Sequence, residues 1–148
     1  MERRILAIDP GVKLGYALIT SEGVIKKVGE LKIEYDDFRA SAEKVKVLIS
    51  TLDPSEIVIE VPEYWASYKG KIYASKGFLV KMSMLVGIIL GIAHIKKIKV
   101  FSLAPRDWKG QLPNKLVKQR VEYLLGKSYK SQHIIDAIGI GLFHLGRF

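Results

Sequence analysis

Two very short turns do most to limit what this chain can fold into. Apolar runs at Arg3–Asp9, Leu14–Thr20 and Val24–Ile33 are joined only by DPGVK and SEG. Strands linked that tightly must pair as antiparallel hairpins, because a parallel crossover needs a dozen or more residues. After the third run the period changes. Phe38, Ala42, Val45, Leu48, Ile49 and Leu52 recur at helical spacing behind a DD pair that suits a helix N-terminus. DPSE breaks that helix, and EIVIEV follows as a near-continuous apolar run, as expected of a strand buried on both faces. A helix over Gly77–His94 and a strand over Lys97–Leu103 come next. A helix over Lys115–Leu125, capped by Asn114 and ended by Gly126, precedes a last helix capped by Ser131. The order β-β-β-α-β-α-β-α-α predicts an α/β fold: a mixed five-stranded sheet with helices on its faces. The three hairpin strands come first, and strands one, four and five form the parallel part.

A length of 148 residues suits one domain over 1–148, and 49% hydrophobic residues allow a sizeable core. The start, MERRIL, lacks the apolar segment of a secretory signal. The longest apolar stretch, Met82–Ile95, falls short of the ~18 residues a membrane span needs, so no membrane partner is expected. There are no cysteines, which removes disulfides, thiolate metal sites and cysteine nucleophiles and suits a cytoplasmic location. Twenty-four Lys and Arg against fifteen Asp and Glu leave a net charge of +9. Adaptation to heat also enriches lysine, but an excess of this size points first to a polyanion, most often nucleic acid.

Against that basic background, four residues form an acidic constellation. Asp9 ends the first strand, Glu60 ends the fourth, and His133 and Asp136 lie in the first turn of the last helix. Parallel strands point their C-terminal ends at one edge of the sheet, where open α/β folds place their sites. Neighbouring strands are ~4.8 Å apart, so Asp9 and Glu60 can share a cation. The i,i+3 spacing puts His133 and Asp136 on one side of their helix. Three carboxylates and an imidazole make a hard, oxygen-rich site suited to Mg²⁺ or Mn²⁺. Each residue alone has an ordinary reading: Asp-Pro-Gly makes turns, and acids favour helix N-termini. Their joint placement carries the weight.

Those same stretches, ILAIDPGVKLGYALI, IVIEVPEYW and HIIDAIGIGL, resemble the RuvC-like Holliday junction resolvases over nearly the whole chain. DPG followed by Gly15 matches the opening motif, Glu60 the second acid, and His133 and Asp136 the closing motif. The resemblance implies a ribonuclease H-like fold and an endonuclease that resolves four-way DNA junctions by paired symmetric nicks. It further implies two Mg²⁺ ions bridged by Asp9, with Mn²⁺ able to substitute, and products carrying a 5′-phosphate and a 3′-hydroxyl. RDWKGQLPNK resembles the lysine-bearing segment of such enzymes, and its WKG..P is closer to phage-type members than to the bacterial housekeeping enzyme. Lys109 is then a catalytic cation, and Lys109, Lys115, Arg106 and Lys118 are DNA contacts. The resemblance also implies a homodimer formed through helix Gly77–His94.

Between Pro62 and Lys76 no periodicity remains. Tyr64, Trp65, Tyr68 and Tyr73 alternate with Lys69, Lys71 and Lys76, pairing rings that stack on bases with cations that hold phosphates. The resemblance implies that Tyr64 or Trp65 lies near a junction centre. Two alternatives stay open: a ribonuclease H-like relative that processes RNA, and a branched-DNA binder without catalysis. A sugar-kinase or actin-like ATPase reading of DPG fails for want of a second phosphate hairpin.

Overall fold

In the computed structural model, residues 2–63 and 77–148 are described. Strands β1 (Arg4–Asp9), β2 (Lys13–Thr20) and β3 (Ile25–Lys32) are followed by helix α1 (Phe38–Leu52) and strand β4 (Glu56–Glu60). Helix α2 (Phe78–Ile95), strand β5 (Lys99–Leu103), and helices α3 (Pro105–Trp108), α4 (Asn114–Leu125) and α5 (Gln132–His144) complete the described elements. The five strands form one sheet in the order β3-β2-β1-β4-β5. Pairing is antiparallel for β3-β2-β1 and parallel for β1-β4-β5, the mixture the turn lengths require.

Strand alternation sorts the core into two layers. Leu6, Ile8, Leu14, Leu18, Ile57 and Ile59 face α1 and α2. Ile5, Ala7, Ala17, Ile19 and Val58 face the layer built by α3, α4 and α5. Strands β1 and β4 contribute to both layers, which is why they read as continuous apolar runs. By the same alternation Asp9 and Glu60 fall on the α5 side, one residue beyond the paired Ile8 and Ile59.

Local chemistry sets the element ends. Asp37 caps α1, its carboxylate accepting from the Ala40 N–H at 3.0 Å. Ser131 caps α5 by accepting from Ile134 N–H at 3.3 Å, and Gly126 ends α4 in the left-handed region at φ 64°. Three expectations change. Asn114 is the first residue of α4 rather than its cap; extended Pro113 holds that place, and its carbonyl accepts from Leu116 and Val117. Between β5 and α4, where the sequence order above has no element, the single turn α3 forms, started by Pro105 and closed by Asp107 accepting from Ala104 N–H at 2.8 Å. Lys97 lies outside β5, because the chain reverses there with Lys97 at φ 58°.

Helix α2 starts a turn before Met82 and, at 18 residues, is long and apolar enough to cross a membrane by length and composition. One side of it is core: Leu85, Ile89 and Ala93 are fully buried. The other side is open. Val80, Met84, Leu90 and Ile95 are exposed, and an added Cβ on Gly87 or Gly91 would meet nothing within 4 Å among the described residues.

Candidate active site

The strand end carrying Asp9 is held on both sides. Asp9 pairs with Gly15 across the hairpin, and the Tyr35 hydroxyl donates to the Gly11 carbonyl at 2.9 Å, pinning the turn. The end carrying Glu60 is pinned by the Val61 N–H, which donates to Leu103 at 2.8 Å and extends the β4–β5 ladder past the acid. Helix α5 crosses β1 and β2 closely enough that only glycine fits at 15: a Cβ there would collide with the backbone carbonyl of His133. The absent side chain of Gly15 thus seats His133 and Asp136 over the strand ends. The Ser131 hydroxyl also donates to Glu30 on β3, anchoring the start of α5 to the sheet.

The acids found in the sequence do come together. His133 Nδ1 stands 3.8 Å from Asp9 Oδ2. Asp9 and Asp136 are each only 8% exposed. Burial, reinforced by the charges of Glu60 and Asp136, pushes the Asp9 carboxyl up to about 8, while Lys109 pulls the other way. Burial also raises Glu60, opposed by the Trp108 hydrogen bond and Lys109. Burial raises Asp136 as well, opposed by Lys109, Gln132 and His133. The three carboxylates therefore feel one another, and among the described residues Lys109 is the one cation felt by all three.

Two further residues hold these acids and were not singled out by sequence reasoning. The indole N–H of Trp108 donates to Glu60 Oε2 at 2.7 Å. The Gln132 amide donates to Asp136 Oδ1 at 2.8 Å. A signal existed for each: a buried tryptophan needs a partner for its N–H, and Gln132 precedes Asp136 by one helical turn. Among the described residues, no three carboxylate or imidazole groups converge tightly enough to hold one ion as they stand. In this arrangement Asp9 lies beside His133, Glu60 accepts from Trp108 and Asp136 accepts from Gln132. The donor set nevertheless fits a hard divalent cation. Two buried carboxylates and the half-buried Glu60 repel one another, and a positive charge among them relieves that repulsion.

The basic residues divide. Lys109 reaches the acids, and its ammonium lies 5.2 Å from the Trp108 ring centre. Arg106, on α3, pairs with Glu63 at 3.4 Å. Lys115 is exposed on the first turn of α4, and Lys118, one turn later, pairs with Glu122 at 3.9 Å. Tyr64, Trp65, Tyr68, Lys69, Lys71, Tyr73 and Lys76 lie outside the described residues.

Neither a protein-family model nor a curated protein matches the chain. Solved structures do. Thermus thermophilus RuvC in complex with Holliday junction substrate superposes at a TM-score of 0.73 with 19% identity, covering 95% of this chain and 92% of that one. The chain has the RuvC fold. The yeast mitochondrial Holliday junction resolvase Ydc2 matches at a TM-score of 0.66 and 16% identity, over 98% of this chain and 78% of its own. Fowlpox virus resolvase, solved with substrate Holliday junction DNA, matches at 0.63 and 16%, over 97% of this chain and 99% of its own. The ribonuclease H-like arrangement expected from the motifs, with hairpins first and parallel strands after, is the arrangement RuvC has.

Proposed function

We propose that the chain is a divalent-metal-dependent endonuclease that resolves four-way DNA junctions by symmetric paired nicks. One observation carries this reading: on a RuvC fold, Asp9, Glu60 and Asp136 share one buried field with Lys109 at the C-terminal edge of the parallel strands. Both T. thermophilus RuvC and fowlpox resolvase were solved with junction DNA, which supports the substrate class.

Asp9, Glu60, His133 and Asp136 would hold two Mg²⁺ ions, or Mn²⁺ in their place. Asp9, at the end of the central strand β1 and beside His133, would be the ligand the two ions share. Bound there, such ions supply a water of lowered pKa and neutralise the attacking and leaving oxygens of an in-line displacement. The protein's own work is positioning and charge. Trp108 fixes the rotation of Glu60, Gln132 fixes that of Asp136, and His133 stands against Asp9. Lys109 would offset the negative charge carried by the phosphate's non-bridging oxygens during displacement. Cleavage leaves a 5′-phosphate and a 3′-hydroxyl. The run from Tyr64 to Lys76 offers stacking rings and phosphate-binding cations for unstacked bases at the junction centre, with Arg106, Lys115 and Lys118 along the arms.

Paired nicks require two sites. The exposed stripe Val80, Met84, Gly87, Gly91 and Ile95 recurs at helical spacing along α2 and is bare of side chains at its two glycines. A second copy of the chain packed there by two-fold symmetry gives close helix contact and two opposed sites.

The deciding assay incubates the protein with a labelled mobile four-way junction, a matched linear duplex and an RNA–DNA hybrid, with Mg²⁺ or with EDTA. Metal-dependent, symmetrically paired nicks in the junction alone are the expected result. Cutting confined to RNA refutes the junction assignment in favour of RNA processing. Junction binding without cutting, in Mn²⁺ as well, refutes catalysis.

A further inference from the structure

We infer that Trp108 is a positioning residue for metal binding, and that its indole N–H dictates which oxygen of Glu60 faces the cation. This rests on the metal reading above and deepens it. Glu60 ends a strand with a flexible side chain among other acids. Left alone, such a carboxylate rotates away from its neighbours. Trp108 prevents this with a 2.7 Å hydrogen bond to Oε2, leaving Oε1 for a ligand.

The indole is itself held on several sides. Trp108 is 4% exposed, on the single-turn helix α3. One edge lies against Gly139 of α5, where even a methyl group would collide with the ring. Phe148 meets it at 5.7 Å between ring centres, and Phe148 in turn lies under Arg120 of α4 at 5.0 Å. Residues from α4, α5 and the chain end therefore fix one N–H direction, and β4 supplies the acid that receives it. Any buried indole N–H needs an acceptor, and here the acceptor is the strand-end acid Glu60, 48 positions away, rather than a backbone carbonyl. Lys109 follows directly in sequence and lies over the same ring, so Trp108 positions the acid and its neighbouring cation together.

Outer hydrogen-bond partners of metal ligands typically change metal affinity by ~10–100-fold when removed. The test is titration calorimetry of Mn²⁺ onto the whole chain. It compares wild type with Trp108→Phe and with a variant carrying benzothienylalanine at 108, which replaces only the N–H by sulfur and keeps the ring's shape. Both variants are expected to bind Mn²⁺ ~10–100-fold more weakly, and the Mn²⁺ needed for half-maximal cutting should rise by the same factor. Adding Trp108→Phe to Glu60→Gln should weaken binding no further than Glu60→Gln alone, because the two residues act through one bond. Wild-type affinity in the sulfur variant, or additive losses in the double variant, overturns the inference whether or not Trp108→Phe folds. Weakened Mn²⁺ binding in a protein that cuts no junction sustains the inference and removes the proposed substrate. A wild type that binds no Mn²⁺ overturns both.

Discussion

Replacing Asp9 with Asn should make the metal-free protein more stable while abolishing cutting. The Asp9 carboxyl rises from an ordinary 3.8 to about 8 on folding, first through burial and then through Glu60 and Asp136. A group whose pKa is higher folded than unfolded adds stability that is fully present below the unfolded value. That stability drains away as pH climbs to the folded value. Between about pH 4 and pH 7 the loss is roughly three pH units at 1.36 kcal/mol each, or about 4 kcal/mol. Asn keeps the shape and never ionises, so it avoids this loss. For a chain of this length each kcal/mol moves the melting temperature by ~2–4 °C, so a gain of ~8–16 °C is expected at pH 7 in EDTA. The assay is urea unfolding of both proteins in EDTA at pH 4, 7 and 9. The curves should nearly coincide at pH 4 and separate as pH rises. Parallel pH profiles would refute the reasoning, since Asp9 would then not be titrating among buried acids. Mg²⁺ should restore stability to wild type at pH 7 by mass action, with little effect on the Asn variant.

Three other outcomes follow from the same geometry. Gly15→Ala drives a methyl group into the His133 backbone, and should cost ~1–3 kcal/mol by urea unfolding while slowing cleavage through displacement of α5. Lys109→Ala should lower single-turnover cutting by ~10²–10³-fold, with junction affinity in gel shift altered far less. Met84→Glu places a charge on the exposed stripe of α2; sedimentation should report a monomer, and paired nicks in a circular junction substrate should become unpaired single nicks.

Much of this arrangement is visible in the chain because it depends on short-range rules. Hairpin turns of a few residues force antiparallel pairing, and period-two alternation places Asp9 and Glu60 on one face. Spacing along α5 aligns His133 with Asp136 for the same reason. What stays hidden depends on packing between distant elements. Trp108 lies in a stretch rich in Gly and Pro with only one helical turn, so no periodicity marks it as core; its burial exists because Gly139 clears space on another helix. Gly15 reads as a glycine early in the second strand, yet its role is a close approach to α5 that no local pattern encodes. At α4 the side chain of Asn114 suits a cap, whereas the extended backbone of Pro113 holds that place.

The sheet's two layers also divide the molecule's labour. The acids, Lys109 and Trp108 all belong to the side covered by α3, α4 and α5, whereas the bare stripe of α2 belongs to the opposite side. Substitutions on the outer surface of α2 are therefore expected to leave the geometry of Asp9, Glu60 and Asp136 unchanged, because the sheet lies between them. In such a fold, what the α2 face meets can change separately from what the strand ends hold.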